Sequence, residues 1–153
     1  MSVNSFSVAR HICERGNWNV TNLKLQKILY LAHMAFMGEH NGQPLIDGSF
    51  EAWDYGPVQP KVYRRVSIFG RDPIRDVFQR APALEDATVI RSLNKYIDVL
   101  ITKTPGELVA ITHWEDGAWA KNYIPGRLGI DIPNKDILDE YRARAAQTTQ
   151  NAV

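Results

Sequence analysis

Residues 21–38, TNLKLQKILYLAHMAFMG, carry apolar side chains around too much of a helix for it to lie on a surface. Leu25, Ile28, Leu29, Ala32, Ala35 and Phe36 recur at helical spacing and form one stripe. Leu31 and Met34 widen that stripe beyond a single face. A helix of this kind is stable only when surrounded, so the rest of the chain is expected to wrap around it. Thr21 supplies an N-cap, Val20 and Leu25 stand at staple positions, and Gly38 marks the expected end. With 153 residues of which 44% are hydrophobic, there is enough apolar material to enclose it within one domain.

The flanking segments are consistent with that enclosure. Ser5–Arg15 places Phe6, Ala9, Ile12 and Cys13 on one helical face, and Gly16 and Asn17 stop the helix. Phe50–Tyr55 alternates as a short strand, with Leu45 and Ile46 as its expected hairpin partner across Asp47-Gly48. On that assignment Trp53 and Tyr55 share one strand face, which makes core packing the alternative to a surface role for both. Gly56-Pro57 reads as a turn and Pro60 as the first residue of a helix carrying Val62, Tyr63, Val66 and Phe69, which ends at Gly70. Ile74, Val77 and Phe78 suggest a helical turn. Leu84–Thr102 is a regular amphipathic helix, and Thr104-Pro-Gly-Glu107 is a capping box that opens another, running to His113. Asp116 and Gly117 start a short helix containing Trp119, and residues 128–132 read as extended. A final helix over 134–145 turns Ile137, Leu138 and Tyr141 inward. The expected fold is mainly α: a single compact helical domain over residues 1–145, with a small β-hairpin or short β element near residues 45–55. Residues 146–153 are expected to be a flexible tail.

The chain carries little that resembles catalytic machinery. It has neither phosphate-binding glycine motif and no Gly-x-Ser-x-Gly elbow. One cysteine, Cys13, excludes an internal disulfide and a multi-cysteine zinc site, and fits a reducing cytoplasm. Its neighbour His11 suggests a Cys-His dyad, against the plainer reading of a buried small thiol. No segment has the apolar length of a membrane span or a secretory leader. His113 and Glu115 form the one tempting metal or acid–base pair, but their spacing matches no zinc motif. The alternative is that His113 ends a helix favourably at its negative pole while Glu115 and Asp116 cap the next. Lys61, Arg64 and Arg65 near Trp53 and Tyr63 could clamp single-stranded nucleic acid. A net charge of +1 argues against that use and leaves a protein-binding patch as the alternative.

The run from Thr21 to Tyr63 resembles the Panacea domain, the antitoxin domain of SocA-like and GepA-like phage-associated proteins. The shared pattern is a T-x-L-K-L-Q-K helix at Thr21–Tyr30, a G-x-P-L segment at Gly42–Ile46, an A-W-x-Y-G-P-V turn at Phe50–Val58 and a P-x-V-Y helix at Pro60–Tyr63. Thr112-His113-Trp114-Glu115 and Trp119 match a later element, so the resemblance runs from about Ser5 to Tyr141. Ile46 and Phe50 depart from the pattern without touching the aromatic turn. The resemblance implies a non-enzymatic antitoxin, with no cofactor or metal, that neutralises a cognate toxin by direct binding. In one branch of the family the antitoxin also delivers its toxin to a Clp-type protease. The partner-binding surface is expected at Trp53, Asp54, Tyr55, Gly56 and Pro57, with Tyr63 and Arg64 beside them. Gln26 and Lys27 are expected to support the hairpin by hydrogen bonding. The rival readings are a metal-dependent or nucleic-acid-processing enzyme using His113 and Glu115, or a small nucleic-acid-binding module.

Overall fold

A computed structural model describes residues 2–151 of the chain. Helix α1 spans Ser5–Arg15 and is capped by Asn4, whose side chain accepts the Phe6 N–H. Helix α2 spans Asn22–Glu39, with Thr21 Oγ1 accepting the Lys24 N–H at its start. Strand β1 (Phe50–Trp53) and strand β2 (Gly56–Val58) lead into α3 (Pro60–Val66) and a 3₁₀ turn over Ser67–Phe69. Then come α4 (Ala87–Leu100), α5 (Pro105–Thr112), α6 (Ala118–Asn122), strand β3 (Asp131–Ile132) and α7 (Asn134–Asn151). The capping box of α5 is formed in both directions, Glu107 N–H to Thr104 Oγ1 at 3.1 Å and Thr104 N–H to Glu107 Oε1 at 2.9 Å.

As its composition requires, α2 is the axis of the molecule. It packs against α1, α3, α4, α5, α7 and β2. Leu25, Ile28, Leu29 and Tyr30 are fully buried, and Met34 and Phe36 nearly so. The helix does not stop at Gly38 but continues to Glu39. Gly38 serves close packing instead: a Cβ there would fall 2.2 Å from the Tyr141 ring of α7.

The three strands form an antiparallel sheet in the order β2-β1-β3. The mainly helical fold with one small β element is as expected, but the pairing is not. Leu45 and Ile46 are not the partner of β1; Ile46 instead bridges Val3 in parallel. The partner is Gly56–Val58, so Gly56-Pro57 is strand rather than turn, and the two-residue loop is Asp54-Tyr55. The strand's alternation also has the opposite phase. Phe50 and Ala52 face the core, while Glu51 and Trp53 face outward, joined by a Trp53 Nε1–H bond to Glu51 Oε1 at 2.9 Å. Tyr55 lies in the loop, outside the alternation, and is 74% exposed. Ile74 and Phe78 are buried but form no helical turn. Helix α7 continues past Ala145 to Asn151, and the part of the expected tail at residues 152–153 lies outside the described residues.

Two polar groups are locked inside this framework. Glu140 of α7 is 1% exposed and accepts the Tyr30 hydroxyl at 2.9 Å, the Ala118 N–H at 2.8 Å and the Arg144 Nε–H at 2.8 Å. Arg144 extends the link to the Ile111 carbonyl of α5 at 2.6 Å. Burial and the Glu140 carboxylate push the Tyr30 hydroxyl well above its usual range, which keeps it a donor. His33 on α2 lies against Phe50 and Asn134. Its Nδ1 accepts the Ile46 N–H and its Nε2 meets Asn134 Oδ1 at 3.0 Å, a pattern that only the neutral Nε2–H tautomer satisfies.

Glu140→Ala removes the acceptor of three donors and strands the Arg144 charge, so it should cost about 3–5 kcal/mol in denaturant unfolding. Burial lowers the His33 pKa from 6.5 to about 4. Between those values the unfolded chain binds a proton that the folded chain refuses, so stability should fall as pH drops from 6.5 towards 4, by about 3 kcal/mol. The stability difference between wild type and His33→Gln, measured across that window, should carry this slope and be flat above pH 7.

Candidate functional site: a cavity beside the aromatic hairpin

The β1–β2 hairpin can sit low against α2 and α5 because residue 56 has no side chain. Gly56 has φ +115°, and a Cβ there would fall 3.0 Å from Lys27 Cε and 3.1 Å from Thr112 Oγ1. Both the backbone angle and the close approach disfavour a side chain there.

Beneath the hairpin the N-terminal part of α2 turns polar. Lys27, 1% exposed, donates from Nζ to the Pro57 carbonyl at 3.3 Å, and no carboxylate of the described residues forms an ion pair with it. Burial alone pushes its ammonium down to about 8. Gln26 Oε1 accepts the Gln59 N–H at 2.8 Å while its Nε2 donates to Asn22 Oδ1 at 3.1 Å. Gln59 in turn caps α3, its Oε1 accepting the Val62 N–H at 2.9 Å. This amide relay and the Lys27 bond fix the end of β2 and the start of α3 on α2. Gln26 and Lys27 therefore support the hairpin as the sequence suggested.

From the other side the hairpin is held by stacked rings. His113 lies on Trp119 at 3.8 Å with 6° between planes, and Trp119 lies on Tyr123 at 4.5 Å. Trp119 Nε1–H donates to the Trp53 carbonyl at 2.7 Å, and the Tyr123 hydroxyl donates to Asp54 Oδ1 at 2.6 Å. His113 does end α5, as expected. Burial lowers its pKa and the Lys27 charge adds to that, against a smaller opposing contribution from the Tyr55 backbone.

The hairpin walls one side of a cavity of about 800 Å³. Trp53 and Tyr63, with ring centroids 4.8 Å apart, Asp54 and Tyr55 line it, so four of the expected binding residues meet there. Gly56 and Pro57 are buried in β2 and do not line it, and neither does Arg64, which is exposed on α3. Trp53 is half-buried rather than core. Residues far away in sequence complete the wall: Leu23, Gln26 and Lys27 from α2, Arg71 after the 3₁₀ turn, and Arg127 and Leu128 from the loop before β3. Of these, Leu23, Gln26 and Lys27 carried a sequence signal, through the family pattern. Leu128, 88% exposed, had none but its position in a loop.

The other candidate chemistry is dispersed. Cys13 is buried, with its thiol pushed up to about 12, and His11 Nε2 pairs with Asn94 instead of the thiol. Glu115 is exposed while His113 is in its stack, and no group of three or more His, Cys, Asp or Glu among the described residues is placed to hold a metal. The basic stripe is split. Lys61 and Arg65 lie over the Phe6 ring, and Arg65 also donates to the Val77 carbonyl. No helix among the described residues is long and apolar enough to cross a membrane.

The hairpin, Gln26 and Lys27 beneath it and the stacked His113 and Trp119 fall within a stretch shared with a known family. The family described as "Antitoxin SocA-like, Panacea domain" matches residues 25–120. The Antitoxin SocA of Caulobacter vibrioides (strain NA1000 / CB15N) is 35% identical over 139 residues, covering 80% of this chain and 72% of that protein. The chain thus belongs to the SocA-like, Panacea-domain antitoxin family, and its role is that of an antitoxin. No solved structure matches it.

Two tests follow from the geometry. Gly56→Ala should destabilise the fold by more than about 1 kcal/mol, because it combines backbone strain with the loss of the close approach to Lys27. In a ¹³C titration the Lys27 Cε should show a midpoint near 8, against about 10.4 for exposed lysines. Between those values the unfolded chain holds more protons, so this group's contribution to stability rises with pH. A midpoint near 10 would mean that solvent or an acid reaches the ammonium.

Proposed function

We propose that this protein neutralises a cognate toxin by binding it directly, without catalysis, through the surface centred on the hairpin cavity. One observation carries the reading. Exposed apolar and aromatic side chains from three distant segments, Leu23, Tyr55 and Leu128, converge around a cavity walled by Trp53 and Tyr63. Exposed apolar groups gathered at one concavity, with Tyr, Trp and Arg among the lining, are what protein interfaces use as anchors. Arg64, exposed beside Tyr63, belongs to the rim of the same surface. The protein acts in the cytoplasm, where a reduced single thiol and its toxin's targets are at home. Delivery of the toxin to a Clp-type protease is the second step of this reading, supported by the family resemblance.

Co-expression with the product of the adjacent gene should restore growth when that product is toxic. Tyr55→Ala and Leu128→Ser should leave thermal unfolding within about 1 °C of wild type and weaken toxin binding by at least tenfold, since a truncated anchor costs about 2 kcal/mol or more. Full neutralisation by both variants would remove the cavity surface from the interface. If delivery operates, toxin half-life should shorten when the antitoxin is present and be unaffected by it in cells lacking the protease.

A further inference from the structure

The cavity has a charge imbalance that toxin binding in general does not require. Its lining holds three cations, Lys27, Arg71 and Arg127, against one acid, Asp54. Asp54 is already engaged by the Tyr123 hydroxyl at 2.6 Å. Arg71 and Arg127 are exposed and form no ion pair with a described residue. Lys27 is 1% exposed and donates to a neutral carbonyl, Pro57 O at 3.3 Å. Elsewhere six cations are paired with carboxylates: Arg10 with Glu14, Arg15 with Asp98, Lys95 with Glu39, Lys121 with Asp136, Lys135 with Asp139 and Arg144 with Glu140. Three cations against one acid at the cavity contrast with the balance of the whole chain, whose net charge is only +1. A desolvated ammonium without a counter-ion is costly to keep, and a carboxylate brought to it in a water-poor cavity gains more than a surface pair would.

We infer that the cavity receives an acidic side chain from an extended segment of the partner protein, with bulky apolar residues beside that acid. The cations Lys27, Arg71 and Arg127 supply the complement to the carboxylate. Leu23, Tyr55 and Leu128 (38%, 74% and 88% exposed) supply the complement to the flanking apolar groups, which a small free anion would leave uncovered. Gln26 and Asn22, whose side chains bond one another, keep the wall beside Lys27 in a fixed arrangement. This deepens the toxin-binding reading and rests on it for the identity of the partner, but not for the chemistry recognised.

A random-peptide phage library panned on the full-length protein tests it without a known toxin. Selected peptides should place Asp or Glu within two positions of Leu, Phe or Trp. They should bind at least tenfold more weakly to Arg71→Ser/Arg127→Ser, a double substitution of exposed residues, and should weaken between 50 and 300 mM salt. Lys27→Met should reduce binding further if it folds; the arginine pair carries the test if it does not. A library that yields no binder, peptides without acids, or affinity unchanged in the double variant would overturn the inference. Displacement by acetate at the peptide's own concentration would overturn the peptide as occupant. A toxin that is neutralised equally by the double variant, yet lost on Tyr55→Ala, would refute acid recognition and leave direct binding standing. A harmless neighbour together with acidic peptides that bind as described would do the reverse.

Discussion

The arrangement of this protein depends on one buried carboxylate. Glu140 collects donors from α2, α6 and α7, and through Arg144 it reaches α5. None of these contacts is local except the one to Arg144. Helix α6 is only five residues long and has no side-chain cap of its own, so Glu140 capping Ala118 from α7 is what gives it a defined start. Helix α6 carries Trp119, and Trp119 holds the hairpin by its backbone at Trp53. The position of the aromatic hairpin is thus inherited, through two hydrogen bonds, from a charge buried more than eighty residues later in the chain.

The central helix does two jobs with one sequence. Its apolar faces gather the core, which accounts for its near-continuous hydrophobicity. Its first turns present Asn22, Gln26 and Lys27 to the hairpin and to the cap of α3. A buried amide whose partner is removed costs about 1–3 kcal/mol, so Gln26 and Gln59 constrain each other strongly despite lying 33 residues apart. The family pattern T-x-L-K-L-Q-K combines both jobs. Its second leucine, Leu25, is core, and its glutamine and second lysine are the floor under the aromatic turn.

That floor explains how a small domain displays a rigid concave surface. The hairpin is pinned from beneath by Lys27 and from the side by the His113–Trp119–Tyr123 stack, so Tyr55 projects from a fixed loop. A preorganised display loses little conformational entropy when a partner docks. His113 and Glu115, which in sequence suggest chemistry, are separated by this architecture. The histidine is part of the clamp and the glutamate is left in solvent.

Much of the fold was legible in the sequence, because helix caps and apolar periodicity are local. The Ser5–Arg15 helix, the α5 capping box and the central burial of α2 all followed from residues within a few positions of one another. The strand assignment was legible only in part. Alternation located Phe50–Trp53, but its phase and partner depend on which face meets α2, and the true partner hides behind a Gly-Pro that reads as a turn. The site was the least legible. The aromatic turn stood out, whereas Arg71, Arg127 and Leu128 carry no local signal and reach the cavity only because the chain returns there after β2 and before β3. By itself the sequence determined the helices, the central helix's burial and the family, since these rest on short-range geometry and pattern. The tertiary structure alone decided which way Trp53 faces, what Glu140 binds and which charges meet at the cavity, because each depends on contacts between residues distant along the chain.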